Sequence, residues 1–511
     1  MTLAALLERA ALRRPHAEAV VDGERRLTYA ELATRARALG EGFRRLGVGR
    51  GDRVLIVLRN RLEHVLAYWA LQAIGGVPAP VNFRLAAGEL GYVLRDCGAR
   101  VALCETSTAA ALAEAAAGVD VRIVAVGDGP AGALAFDEVA AARPGAPGDV
   151  VERDLSLILY TSGTTGRPKG VPRTHRNHYA GAVAHVVQCG YTWDERTLGV
   201  MPLYHTMGIH ALTSMAAIDG CFVCQPEWSA APALALIARE RLTALYLIPT
   251  LFYDLVHAPG FPAADVSSVR KLAYAGAPML APLTEACTRA FRPEVFVNHY
   301  GSTEIYTFTV RADVGAKPGC AGRAGLHSVV RVVTASTERR VGPDEVVRPG
   351  DKGEIIASLA SAEAFAGYWN RPDADARALR EGWYFTGDMG WLDAEGELYV
   401  AGRVDDMIIS GGENIHPVEI EDVLARHPEV RDVAVIGEPD PRLGERVLAF
   451  VVPKTAALTF DALDAFCRAA PDLASFKRPR RVVFVRDIPK TASGKILRRL
   501  LRDGQYAEIT P

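Results

Sequence analysis

The sequence predicts an α/β fold: a large N-terminal domain of mixed and parallel sheets with helices, a small β-rich subdomain, and a small α+β C-terminal domain. Three observations lead there. Short apolar runs alternate with helix-period segments as far as Gly319, the pattern of a parallel sheet with helices on both faces. From there to Gly402 the texture changes to short strands and turns such as "VVRVV", "GEIIAS" and "GELYVAG". After "GRVDDMIISGGENIHP" the alternation resumes with different content.

The elements follow in order. "MTLAALLERAALRRP" is apolar only until Glu8 and Arg9 interrupt it, so it reads as an amphipathic helix and not as a signal peptide. "YAELATRARALGEGFRRLG" has helical spacing with Gly47 as its stop. "DRVLIVL" is a strand, "LEHVLAYWALQAIG" a helix, and "VPAPVN" and "RVALCE" are further extended pieces. "TALYLIP" and "VRKLAYAG" continue the strand series. In the last part "VEIEDVLARHPEV" and "TFDALDAFCRAA" are helices, and "VRDVAVIG", "RVLAFVVP" and "RPRRVVFV" are strands. The boundary is placed at Asp405, giving domains 1–404 and 405–511 joined by a short hinge.

The bulk properties set limits. The chain has 511 residues, 49% hydrophobic and 23% charged, which suits a globular protein of two or three domains. A formal net charge of -2 argues against nucleic acid or an anionic membrane as the main partner. No apolar run is long enough to span a bilayer. The 8 scattered cysteines are not a disulfide framework, so the cytoplasm is the expected compartment. A homodimer is left open.

Several familiar signatures fail on inspection. "GDGPAG" at 127–132 satisfies a dinucleotide-loop spacing, but Pro130 falls inside it and no acidic residue follows at the right distance. Cys221 and Cys224 make one CxxC without a second pair, which reads as buried strand cysteines. There is no G-x-S-x-G elbow and no H-E-x-x-H. The 12 histidines do not cluster at ligand spacing and read as surface or packing residues.

Four segments carry chemistry. "YTSGTTGRPKG" follows the apolar "LSLILY". Thr161, Ser162, Thr164 and Thr165 offer hydroxyls, and Gly163 and Gly166 let backbone N–H groups approach an anion. Lys169 comes too late for the common nucleotide-hydrolase loop, in which lysine directly follows the second glycine. "NHYGSTE" at 298–304 sets an aromatic, a glycine, two hydroxyls and a carboxylate together; the aromatic can stack on adenine, and Glu304 can hold Mg²⁺ as a hard oxygen ligand. "WYFTGD" and "GRVDDMI" supply Asp388 and Arg403, an acceptor and a donor for ribose hydroxyls. "PKTASGKILRR" is a second Gly/hydroxyl loop, and it ends in Lys495. Each of these alone could be a structural turn.

In this order, with "MPLYH" between them, the segments resemble the adenylate-forming superfamily of acyl-CoA synthetases, peptide-synthetase adenylation domains and luciferases. The resemblance covers essentially the whole chain, and "GRVDDMIISGGENIHP" with "FKRPRR" is similar to CoA ligases of the chlorobenzoate type. It implies two half-reactions: a carboxylic acid and MgATP give an acyl-adenylate and pyrophosphate, then coenzyme A displaces AMP. Attack of one anion on another needs positive charge and exclusion of water, and the resemblance assigns that charge to Lys495. It further implies that Thr161, Ser162, Gly163, Thr164, Thr165, Gly166 and Lys169 hold the β- and γ-phosphates. Tyr300 would stack on adenine beside Gly301 and Ser302, Thr303 would contact the α-phosphate, Glu304 would bind Mg²⁺, and Asp388 and Arg403 would fix the ribose.

By the same resemblance, His205 gates the acyl pocket, whose other candidates are Thr206, Met207, Gly208, Ile248, Ala275, Gly276, Ile305 and Tyr306. Asp405 is the hinge about which a mobile C-terminal domain rotates. Rotation would withdraw Lys495 and bring up Gly411 and Gly412 to line the pantetheine tunnel, with Arg84, Phe476, Lys477 and Arg478 on the CoA nucleotide. One departure is visible: Ala324 stands in "GRAG" where the family often has proline. The pocket candidates are mostly apolar, which points to an aryl, alicyclic or medium-chain hydrophobic acid. A carrier protein or an amine as the acceptor, and a non-catalytic binding module, are the alternatives.

Overall fold

Leu3, Leu6, Leu7 and Ala10 are the buried stripe of the first helix, Leu3–Arg13, and Thr2 caps it by accepting from the Ala5 N–H at 3.2 Å. The next helix, Tyr29–Arg45, begins with a reciprocal capping box between Thr28 and Glu31. It ends ahead of Gly47, whose φ of 81° marks the left-handed turn expected of a helix stop. The computed structural model describes all residues except 162–167, 280, 337–338, 411–412, 471–472, 492–493 and 510–511; the side chains of 405, 409, 413 and 414 are also outside the description.

The main sheet grows from a parallel core. Glu18–Asp22, Cys221–Cys224, Arg196–Gly199, Ala244–Leu247, Lys271–Tyr274 and Val295–Tyr300 lie side by side in that order, all parallel. These runs read as continuous apolar segments because helices cover both faces. Beyond Val295–Tyr300 the pairing turns antiparallel through Thr309–Arg311, Cys320–Ala324, Leu398–Arg403, Trp383–Leu392, Gly353–Ser358 and Val330–Val333. The expected β-rich subdomain is hydrogen-bonded to the parallel core in one continuous 14-stranded sheet. A second sheet, all parallel, is built from Val77–Pro80, Arg53–Val57, Val101–Glu105, Arg122–Val126 and Leu134–Ala135.

The rejected signatures are where the sequence put them. "GDGPAG" is a largely exposed turn after Arg122–Val126. Cys221 and Cys224 are buried at the two ends of one strand, and burial pushes the Cys221 thiol up to about 12. All eight cysteines are buried, and none forms a disulfide. Among the described residues, no helix is long and apolar enough to cross a membrane.

A further sheet carries the C-terminal part. Glu413–Ile415, Ile408–Ser410, Gly444–Pro453 and Val430–Asp440 pair antiparallel, and Arg481–Phe484 joins Gly444–Pro453 in parallel. It has its own core, with Ile408, Ile420, Leu424 and Val451 on one side and Ile436, Phe450 and Val485 on the other. The long hairpin Leu155–Thr161/Lys169–Thr174 forms its own two-stranded sheet, with Leu155–Thr161 packed against Val77–Pro80 of the second sheet.

Candidate active site

The hairpin presents the first Gly/hydroxyl loop. Thr161 and Lys169 are cross-strand partners at its mouth, while Ser162, Gly163, Thr164, Thr165 and Gly166 lie outside the described residues. The Lys169 ammonium sits 4.2 Å from the ring centroid of Tyr368, a cation–π distance. Burial lowers its pKa, and the Glu304 carboxylate works against that shift.

Glu304 is reached from the end of strand Val295–Tyr300. Gly301 permits the turn there, since a Cβ on it would lie 1.8 Å from the Tyr306 carbonyl oxygen. The Ser302 N–H donates to the Ile305 carbonyl at 3.0 Å, and the Ser302 hydroxyl accepts from the N–H groups of Glu304 and Ile305. Glu304 emerges buried, and its Oε1 accepts from the Tyr368 hydroxyl at 2.6 Å. Arg173, on the second hairpin strand, donates to the carbonyls of Thr303 (2.8 Å) and Glu304 (3.1 Å), tying hairpin and turn together. Burial pushes the Arg173 pKa down to about 10, with Glu363 and Glu304 opposing.

Three predicted nucleotide contacts form one connected group. The Tyr300 hydroxyl donates to Asp388 Oδ2 at 2.6 Å, and Arg403 Nη1 donates to Asp388 Oδ1 at 2.6 Å. Asp388 and Arg403 are cross-strand neighbours, which explains a pairing invisible as local spacing. Burial works against the Arg403 charge, but the Asp388 carboxylate outweighs it and raises the pKa above the ordinary value.

His205 occupies the N-cap of the helix Thr206–Ala217, where its Nδ1 accepts from the Met207 N–H at 3.3 Å. The preceding loop is fixed by buried Asn60, which donates to the carbonyls of Gly199 and Met201 and accepts from the Leu203 N–H. Gly208 is required for the close fold-back, because a Cβ on it would fall 2.2 Å from the Pro202 carbonyl oxygen. The Thr206 hydroxyl lies 3.4 Å from that of Thr303, so this helix start meets the 298–304 turn. Met207, Ile248 and Ala275 pack in one buried cluster, and Gly276 follows at φ 88°. Ile305 packs instead with Val171, Phe308 and Phe365.

The Lys495 loop docks on this ground. Its turn is held by the Thr491 N–H donating to the Lys495 carbonyl at 2.8 Å and the Lys495 N–H donating to the Thr491 hydroxyl at 3.1 Å. A Cβ on Gly494 would lie 3.2 Å from Cδ1 of Ile248. The Lys495 side chain is exposed, yet its charge reaches His205: burial first, then Lys495, lowers the His205 pKa to about 4.

The residues expected around CoA are spread out. The Arg84 guanidinium lies 4.5 Å from the ring centroid of Phe83. Phe476 is 41% exposed in the short turn Ser475–Lys477. Lys477 pairs with Glu419, which also pairs with Lys352 from the main sheet's side of the junction. Arg478 pairs with Asp464 at 2.6 Å. The backbone of Asp405 lies in the turn Val404–Asp406, and its side chain, with Gly411 and Gly412, is outside the described residues. Ala324 ends the strand Cys320–Ala324 in an exposed position.

The sequence reading missed two kinds of residue. Arg173 and Tyr368 carry no motif signal; only the strand alternation of "KGVPRT" hints that Arg173 faces inward. The histidines, expected to be scattered, partly gather in the core. His178 and His210 lie 5.6 Å apart between ring centroids, and His185 and His299 lie 5.2 Å apart. They come from two helices and one strand, so no sequence spacing could reveal them.

Known proteins share this arrangement. Residues 7–369 match the family described as AMP-binding enzyme, and residues 419–495 match the AMP-binding enzyme C-terminal domain. The chain is 39% identical over 493 residues to a feruloyl-CoA synthase of Amycolatopsis sp, covering 95% of each chain. It is 32% identical over 509 residues to a 4-chlorobenzoate–CoA ligase of Arthrobacter sp, covering 98% of this chain and 95% of that one. Among solved structures it superposes on the anthranilate CoA ligase AuaEII in complex with anthranoyl-AMP with a TM-score of 0.90, at 28% identity over 99% of this chain and 97% of that one. ATP-bound MatB from Rhodopseudomonas palustris superposes with a TM-score of 0.89, at 30% identity over 99% of each chain.

Proposed function

The chain belongs to the AMP-binding enzyme family and is an AMP-forming acid–thiol ligase that joins an acyl or aryl carboxylic acid to coenzyme A; on that premise we propose how its residues divide the work. In the first half-reaction a carboxylate oxygen bonds to the α-phosphorus of ATP and the bond to pyrophosphate breaks. In the second, the CoA sulfur bonds to the acyl carbon, AMP leaves, and the thiol proton passes to solvent.

Lys495 supplies the charge that lets one anion approach another. The observation that carries this assignment is the docking of its loop over Ile248 and His205, beside the contact between Thr206 and Thr303. Thr303 meets the α-phosphate, and Lys169 with the loop 161–166 holds the pyrophosphate end. Tyr300 lies against adenine, and Asp388 and Arg403, already oriented by one another, receive the ribose. A metal fits Glu304: one carboxylate oxygen is taken by Tyr368 and a second remains to be offered, on a hard oxygen donor. A structure of o-succinylbenzoate CoA synthetase from Bacillus subtilis holds ATP with a magnesium ion. Mg²⁺ on Glu304 would neutralise charge on the phosphates, while Arg173 keeps the turn in place.

Residues 405–511 form a mobile domain hinged at Asp405. After adenylation it withdraws Lys495 and brings Gly411 and Gly412 to the pantetheine arm, with Phe476, Lys477, Arg478 and Arg84 on the CoA nucleotide. The acid is hydrophobic and aryl: the pocket candidates Met207, Ile248 and Ala275 are apolar and buried in one cluster, and the relatives' names include feruloyl and 4-chlorobenzoate. The reducing cytoplasm is the proposed compartment. ATP–pyrophosphate exchange across a panel of carboxylic acids, followed by detection of the CoA thioester, tests the reading. Exchange without thioester would move the acceptor to a carrier protein or an amine, and no exchange with any acid would refute adenylation.

A further inference from the structure

Five buried residues, of which Tyr306 alone was expected at the acyl pocket, take no part in the bond-making steps above. Tyr306 stacks on His210 at 3.6 Å between centroids, with planes 2° apart. The Tyr306 hydroxyl lies 2.9 Å from His185 Nδ1 and 3.1 Å from the Tyr246 hydroxyl. The His299 ring lies 5.2 Å from that of His185. All five are buried, and His299 is 2% exposed. Both ring nitrogens of His299 have no hydrogen-bond partner among the described residues. A neutral imidazole then leaves one donor and one acceptor unpaired in the core, which native structures rarely tolerate without a function or a bound group.

The cluster is tied to the start of the helix Thr206–Ala217. His210 is five residues along its helix from His205, roughly 7.5 Å of axial rise at about 1.5 Å per residue. The His210 ring nitrogen Nδ1 binds the Thr206 carbonyl at 2.9 Å, so the cluster is anchored to the helix start that meets Thr303. Tyr306 and Ile248 flank the same buried core.

We propose that His299, with His185 and Tyr306, is a polar subsite for the far end of the acyl substrate, and that the acid is an aryl acid bearing a hydroxyl remote from its carboxylate. This rests on the ligase reading and narrows its substrate. The hydroxyl would donate to the acceptor nitrogen of His299 and accept from another group of the cluster, pairing one of the two open positions on that ring. Burial pushes the His299 imidazole down to about 3 and also holds His185 below its ordinary value. The subsite is therefore uncharged at neutral pH and suits a neutral hydroxyl, not a second carboxylate. His185, Cys189 and His299 also bring their ligand atoms within 4.8 Å of one another, the spacing of a metal site. The hydroxyl is favoured because His185 Nδ1 is already engaged by the Tyr306 hydroxyl at 2.9 Å, which takes one of the three donors a metal would need.

The test uses the full-length enzyme and pyrophosphate release. Benzoic and phenylpropenoic acids are compared with and without a para hydroxyl, and the metal content of the purified protein is measured. A site built to bind a hydroxyl rejects the analogue that lacks it, so kcat/KM should favour the hydroxylated acid by at least ~10-fold. His299→Leu should remove most of that preference, read as the ratio of kcat/KM between the hydroxylated and the unsubstituted acid. His185→Phe serves as a second variant should the first not fold. Turnover without any hydroxyl preference would overturn this proposal alone, as would stoichiometric zinc that His299→Leu abolishes. No turnover of any benzoic or phenylpropenoic acid would sink the aryl assignment and this proposal with it, while turnover of a non-aromatic acid in the same assay would leave the ligase activity standing.

Discussion

Lys495 lies within electrostatic reach of His205, although nearly three hundred residues separate them, and its ammonium adds to burial in lowering the imidazole pKa to about 4. With Gly494 against Ile248, the C-terminal loop rests on the large domain, as the proposed first half-reaction requires.

A neutral His205 follows. Between about pH 6 and 8 its protonation should leave no inflection in the pH profile of adenylation, because a lowered pKa keeps the imidazole uncharged throughout. In Lys495→Met the positive neighbour is gone, so the imidazole pKa should rise while burial still holds it below about 6.5. NMR titration, assigned with His205→Asn, reads this. An unchanged titration would mean that the loop is not docked in solution.

Gly301 should tolerate no side chain. A Cβ there would meet the Tyr306 carbonyl oxygen at 1.8 Å, and the turn carrying Thr303 and Glu304 would have to open. Gly301→Ala is expected to slow pyrophosphate exchange by about 100-fold, the cost of misplacing reacting groups by about 1 Å. It should also lower the melting temperature. Near-normal exchange would show that the turn is not part of the machinery.

Much of this was legible in the sequence. The helices Tyr29–Arg45 and Leu62–Ile74 and the strands Gly353–Ser358 and Lys271–Tyr274 fall where periodicity and glycine stops put them, since those signals are local. The continuity of the main sheet was not legible, because the pairing of Cys320–Ala324 with Leu398–Arg403 joins segments far apart in the chain. The same reason hides Arg173 and Tyr368, which act through a neighbouring motif and form none themselves. It also hides the buried histidines, which only the packing of two helices on a strand brings together. Motifs marked Tyr300, Asp388 and Arg403 as functional, but their mutual hydrogen bonds needed the cross-strand register.

The junction between the two parts should be weakly latched. Glu419 is shared by Lys352 and Lys477, and the pair to Lys352 is partly exposed at 33% and 23%. An exposed pair of this kind contributes about 0.2–1 kcal/mol. Lys352→Ala should therefore slow adenylation by ~2–5-fold, less at high salt, and leave thioester formation from supplied acyl-adenylate unchanged or faster. Equal slowing of both halves would place Lys352 in a role other than the latch.

Stability should depend on the buried pair between Lys271 and Glu195. Burial alone would raise the Glu195 pKa, but the Lys271 ammonium and the Thr243 hydroxyl outweigh it and hold it below 4.5. A depressed folded pKa stabilises above the unfolded value, and that contribution fades as pH falls from about 4.5 through the folded value. Lys271→Met would leave a buried carboxylate unpaired and should cost about 3–5 kcal/mol, read by urea denaturation at neutral pH. A loss below ~1 kcal/mol would contradict this.

The central claim is that Lys495 serves the first half-reaction and is withdrawn for the second. The direct measurement is Lys495→Ala assayed on each half separately: acyl-adenylate formation from acid and ATP, then thioester formation from supplied acyl-adenylate and CoA. Loss of a preorganised charge predicts a fall of about 100-fold or more in adenylation, with the thioester rate close to that of the unaltered enzyme. Equal loss in both halves would contradict the account.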